Sequence, residues 1–201
     1  MDRDQLQHIC KELGMEISIN EKVIQEEKGY YENYSLIEYD GLSWYYSEMN
    51  FEKRPLPEKE DIKKFIDEKD AIKYFFLKIL RKFYFKKIHT PHNSINNIHS
   101  IDNIKGYLQS LGIEDDCYSF SVIKPQEVYA EIVDDKIIVS YIDTKKQKRF
   151  STLPLDIERG IFVIYRLTYS LHLLKIIERK YIQSNILTER FTDNDIEFFI
   201  K

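Results

Sequence analysis

The chain repeats itself. Asp4, Leu6, Ile9, Cys10, Leu13 and Gly14 are matched 98 positions later by Asp102, Ile104, Tyr107, Leu108, Leu111 and Gly112. In both copies the apolar residues fall at i, i+3, i+4 and i+7, the stripe of a helix with one buried face, and a glycine stands where the chain leaves that helix. A turn between two strand-like runs recurs 95 residues on, and a long apolar helix about 90 on. A unit of helix, hairpin and helix that occurs twice implies a duplicated module. The expected fold class is α+β, with two tandem helix–antiparallel sheet–helix units: residues 1–88, a linker at 89–100, and 101–201.

Local signals place the elements. Asp2 or Asp4 caps a first helix that ends at Gly14. One short strand is expected near Val23 and Ile24. YSLIEY and LSWYYS flank Asp40-Gly41, a pair suited to a two-residue type I′ turn. That register sets Tyr39 opposite Leu42, Ile37 opposite Trp44 and Ser35 opposite Tyr46. Residues 52–61, with Pro55 and Pro57, read as a loop. A helix follows from Asp70 to Lys87, with Ala71, Ile72, Phe75, Phe76, Ile79, Leu80 and Phe83 inward.

In the second copy SFSVIK reads as a strand, and VYAEIV and KIIVSYI flank a turn at Asp134-Asp135-Lys136. Aligning the two turns matches Ile37 with Ile132, Trp44 with Val139 and Tyr46 with Tyr141, which keeps one face apolar in both. A helix from Asp156 to Tyr181 buries Ile164, Leu167, Leu171, Leu174 and Ile177. A final short helix is capped by Thr192, with Asp195 completing a capping box.

Composition narrows the function classes. The 201 residues carry a formal charge of -4, so the basic footprint of nucleic-acid binding is missing. Cys10 and Cys117 are too few for a disulfide scaffold and read as reduced, small apolar residues. The N-terminus lacks a hydrophobic signal region and the apolar runs read as too short and too charged to span a bilayer, so a cytosolic protein is expected.

No catalytic signature stands out. There is no G-x-S-x-G elbow and no glycine-rich phosphate loop. His89, His92 and His99 lie close together but without the cysteine or carboxylate ligands a zinc site favours. His172 reads as a core histidine, and Glu158-Arg159-Gly160 as a helix start. No cofactor, metal or catalytic residue is expected.

The first copy resembles the small immunity proteins of Gram-positive polymorphic toxin systems. The resemblance covers residues 3–80 and rests on Leu13-Gly14, Ser18-Ile19-Asn20-Glu21, Trp44-Tyr45-Tyr46-Ser47-Glu48, and Phe65 with Asp67, Glu68, Ala71, Tyr74 and Phe75. Met49-Asn50 stand where that pattern has Arg-Gly, and the second copy has no tryptophan. The resemblance implies a non-catalytic protein that binds a toxin domain and occludes its active site. Glu26, Glu27, Glu48 and Glu52 would then steer a basic toxin and Tyr45 would anchor it. The alternative is a scaffold module that docks other proteins on its sheets.

Overall fold

The computed structural model describes the chain except residues 53–56, 90–94, 96, 97 and 99, and the side chain of Asp102. The fold is α+β with two separate sheets, and the chain divides into two compact units. Unit 1 is Met1–Phe83 with Ser184–Thr188, and unit 2 is Tyr84–Gln183 with Glu189–Lys201. The division falls inside a helix, ahead of the expected linker, most of which lies outside the described residues.

Unit 1 opens with α1 (Arg3–Leu13), whose N-cap is Asp2 in a capping box with Gln5. Gly14, at φ +73°, ends it: the Met15 N–H reaches the Cys10 carbonyl at 2.9 Å and the Gly14 N–H reaches Lys11 at 3.3 Å. Only a residue without Cβ adopts that left-handed closure freely. An antiparallel meander follows: β1 (Ile17–Ile19), β2 (Val23–Glu26), β3 (Tyr34–Tyr39), β4 (Trp44–Asn50) and β5 (Glu58–Phe65). Two strands thus stand where one was expected, and β5 begins inside the expected loop. Its sequence, EKEDIKKF, hides it, because a charged edge strand has no apolar alternation to read. At its bulge Asp61 takes φ +51°.

The first hairpin is shifted by two residues from the expected register. Tyr39 pairs with Trp44, Ile37 with Tyr46 and Ser35 with Glu48. A type I′ turn needs positive φ at both central residues, and here only Gly41 supplies it. The Asp40 carboxylate instead accepts the Leu42 and Ser43 N–H groups at 2.8 Å, closing a four-residue loop. A shift of two preserves the faces, so Trp44 and Tyr46 remain inward, 6% and 0% exposed. Leu42 sits exposed in the loop. Helix α2 (Glu68–His89) then lies against the sheet through Tyr74, whose ring meets those of Tyr46 and Phe65. Its expected inward residues are buried except Phe83, which is 45% exposed.

Unit 2 begins with the last residues of α2 and α3 (Ile101–Ser110), N-capped by Ser100. Ile113 N–H to Leu108 and Gly112 N–H to Gln109 close it, with Gly112 at φ +74°. Its sheet has the order β6 (Tyr118–Ser119), β7 (Val128–Val133), β8 (Lys136–Ile142), β9 (Lys148–Ser151). β6 runs parallel to β7 and is far shorter than the expected 119–124 strand. Asp134 and Asp135, both at positive φ, form a two-residue turn, so Lys136 belongs to the strand. Ile132, matched above with Ile37, lies near that tip and is 60% exposed.

Helix α4 (Ile157–Gln183) packs on β7, β8, α3 and α5 (Asp193–Ile200). All five expected residues of its stripe are buried. Contrary to expectation it is long and apolar enough to cross a membrane, with a mean hydropathy of 1.3 over an 18-residue window. A helix covered on several sides carries that composition as core, and 61% of the window is buried. Thr192 caps α5 through Asp195 as expected, and Asp193 fastens it to the sheet through Tyr141 and Thr144.

Candidate functional site

Unit 1 gathers charged side chains between β2, β3, β4 and α2. Ser35 is fully buried, and its hydroxyl receives the Lys82 ammonium at 2.7 Å. It lies 3.1 Å from the Tyr46 hydroxyl, which donates to Glu48 at 2.7 Å. Glu26 accepts the Ser35 N–H at 2.8 Å and has Lys28 and Lys82 at 3.5 and 3.6 Å. Lys82 also stands 3.7 Å from Glu48, and Lys78 joins Glu48 to Asp61. Burial pushes the Tyr46 phenol well above its ordinary range, reinforced by Glu48. Burial, with the Glu26 charge beside it, lifts the Cys10 thiol to about 12. Neither group is a nucleophile or a proton carrier near neutrality.

This arrangement corrects one expectation. Glu26 is only 7% exposed and held by three partners, so it is a structural charge and not a steering one. Glu48 is half-buried in the same network. Glu27 and Glu52 are exposed, as steering requires. Tyr45 is half-buried on the other face of β4, with Lys64 over its ring, and is not brought to these carboxylates. Lys78 and Lys82 were missed, although their i, i+4 spacing among buried α2 positions was the available signal.

Because Lys82 neutralises two carboxylates, one of them buried, Lys82→Met should destabilise the fold by about 1–2 kcal/mol, discounted for the partial exposure of the lysine. The double variant Lys82→Met/Glu26→Gln should recover much of that loss in urea melts. A loss in the double variant equal to the sum of the losses of Lys82→Met and Glu26→Gln alone would show that the pair is uncoupled.

Beside the network a cleft of about 420 Å³ is lined by Met15, Glu16, Glu27, Glu32, Lys82 and Phe83, among others. An aromatic lip adjoins it. Tyr30 and Tyr31 are 90% and 63% exposed and meet edge to face at 4.8 Å. Tyr31 and Tyr34 both approach Phe51, and Asn33, which lines the cleft, accepts the Phe51 N–H at 2.8 Å. Large exposed aromatics rimmed by polar groups mark surfaces that meet other molecules.

In unit 2 Cys117 Sγ lies 4.0 Å from His172 Nδ1 and 3.4 Å from Asp116. The composition of that trio suggests a thiol nucleophile. Its environment argues otherwise: Cys117 and His172 are 0% and 5% exposed, burial raises the thiol pKa and lowers the imidazole pKa. A buried neutral thiol beside a neutral imidazole packs, and does not attack. His172 is thus the core residue expected. Of the three clustered histidines, His89 stacks on Phe85, and His92 and His99 lie outside the described residues.

The chain matches no protein-family model, and no curated protein or solved structure is significantly similar to it.

Proposed function

We propose that the protein is a cytosolic immunity protein that binds a cognate toxin domain and neutralises it by occluding its active site, catalysing no reaction itself. The observation that carries this reading is the exposed aromatic pair of unit 1, Tyr30 and Tyr31, in a unit where Glu27, Glu32 and Glu52 are also exposed and Glu27 and Glu32 line the cleft. Exposed aromatics anchor interfaces, and a fringe of carboxylates draws in a basic partner. The resemblance of residues 3–80 to immunity proteins supplies the class. We read the two units as tandem copies. Asp2 and Ser100 cap their first helices at equivalent positions, and Gly14 and Gly112 close them with the same pair of hydrogen bonds.

The test is growth of cells that express the toxin encoded beside this gene, with and without the protein. Protection and a one-to-one complex are expected. Charge reversal at Glu27, Glu32 and Glu52 should slow association and flatten its salt dependence, while Tyr31→Ala should speed dissociation about tenfold. No protection and no binding in solution would rule out immunity.

A further inference from the structure

The two edges of the unit 1 sheet differ in kind. β5, at one end of the strand order, is guarded: Lys59, Lys63 and Lys64 stand along it and a bulge interrupts it at Asp61. Both devices keep an edge from pairing with another chain. β1, at the other end, is Ile17-Ser18-Ile19, without charge, proline or bulge. Its hydrogen bonds show which backbone groups are left over. The Glu27 N–H donates to the Glu16 carbonyl at 2.9 Å, and the Asn20 N–H donates to the Val23 carbonyl at 2.8 Å. Bonded residues alternate along an antiparallel strand, so Glu16, Ser18 and Asn20 face β2. The N–H and C=O groups of Ile17 and Ile19 point the other way, and among the described residues nothing bonds them there. At the far end Arg3 donates to the Asn20 and Glu21 carbonyls at 2.8 and 2.7 Å, which closes the edge beyond Ile19.

The near end is acidic. Ile17 lines the 420 Å³ cleft together with Glu16, Glu26, Glu27 and Glu32. The lysines of that cleft, Lys28 and Lys82, both stand against Glu26. Glu32 accepts the Gly29 N–H at 3.3 Å, and among the described residues Glu16, Glu27 and Glu32 have no cation. We propose that an extended, basic segment of another protein adds to β1 as a further strand. Its backbone bonds Ile17 and Ile19, and its lysine or arginine side chains meet Glu16, Glu27 and Glu32. That the segment belongs to the toxin domain rests on the immunity reading; the open edge and its charge do not.

The experiment is amide hydrogen exchange of the full chain, read residue by residue by NMR. In the protein alone the Ser18 and Asn20 N–H groups should exchange slowly and those of Ile17 and Ile19 fast. Saturation with the probe peptide acetyl-Lys-Val-Arg-Val-Lys-Val-amide should slow Ile17 and Ile19 at least about fivefold. The same peptide N-methylated at alternate residues, and its counterpart with glutamate for each basic residue, should leave both unchanged. Glu16→Lys, a change at an exposed position, should weaken binding of the basic peptide about tenfold with the melting temperature unaltered. Unchanged exchange with the basic peptide, or equal protection by the acidic one, overturns the proposal whether or not the toxin binds. Toxin binding that leaves both amides as fast as in the protein alone also overturns it, while immunity stands. Protection by the peptide without any binding of the toxin upholds the edge and removes the toxin as its partner.

Discussion

Trp44→Ala should lower the free energy of unfolding by about 3–5 kcal/mol, the range for deleting a large buried aromatic from a core. Trp44 is 6% exposed, its ring 5.3 Å from that of Tyr39, with the Arg3 guanidinium 5.5 Å above it. The same arginine joins α1 to Glu68 at 2.6 Å and to the carbonyls of Asn20 and Glu21. Removing the indole therefore opens a cavity where α1, the hairpin and the start of α2 converge. Circular dichroism in a urea series is the measurement, because Trp44 is the chain's one tryptophan. Leu42→Ala, at an 86% exposed loop position, is the matched control and should change stability by less than about 0.5 kcal/mol. Equal midpoints for Trp44→Ala and the parent would show that the inward face of the hairpin has been misassigned.

A single methyl group should have an opposite effect at two helical glycines. A Cβ at Gly160 would lie 2.5 Å from the Cβ of Ile137, and that atom is fixed to the β8 backbone. Helix α4 must then lift from its sheet, so Gly160→Ala should destabilise by about 1–3 kcal/mol even after the helix-propensity gain of about 1 kcal/mol. A Cβ at Gly106 in α3 meets nothing within 4 Å. Gly106→Ala should therefore stabilise by about 0.5–1 kcal/mol. Thermal melts of the two variants decide the matter. A Gly160→Ala protein as stable as the parent would mean that α4 is not seated on Ile137. The glycine of Glu158-Arg159-Gly160 thus serves helix–sheet approach, a role invisible in a helix-start motif.

The elements that sequence alone determined are those whose cause lies within a few residues. The caps at Asp2 and Thr192, the left-handed stops at Gly14 and Gly112, the apolar stripe of α4 and the inward parity of Trp44 and Tyr46 are local, since helix and strand periods are set by the backbone. Tertiary structure decided what depends on distant partners. β5 exists because β4 offers an edge to a segment with no strand pattern of its own, whereas the hairpin register is local, closed by the Asp40 carboxylate on N–H groups two and three residues on. The carboxylates divide the same way. Glu26 and Glu27 are adjacent and alike in sequence. Both line the cleft with Lys82, but Glu26, the last residue of β2, is buried against Ser35 and Lys82, while Glu27, just past the strand, is exposed. Glu127 likewise reads as one more acidic residue until folding buries it near Lys124 and the Lys175 of α4, for a charge becomes informative only when its solvent is removed.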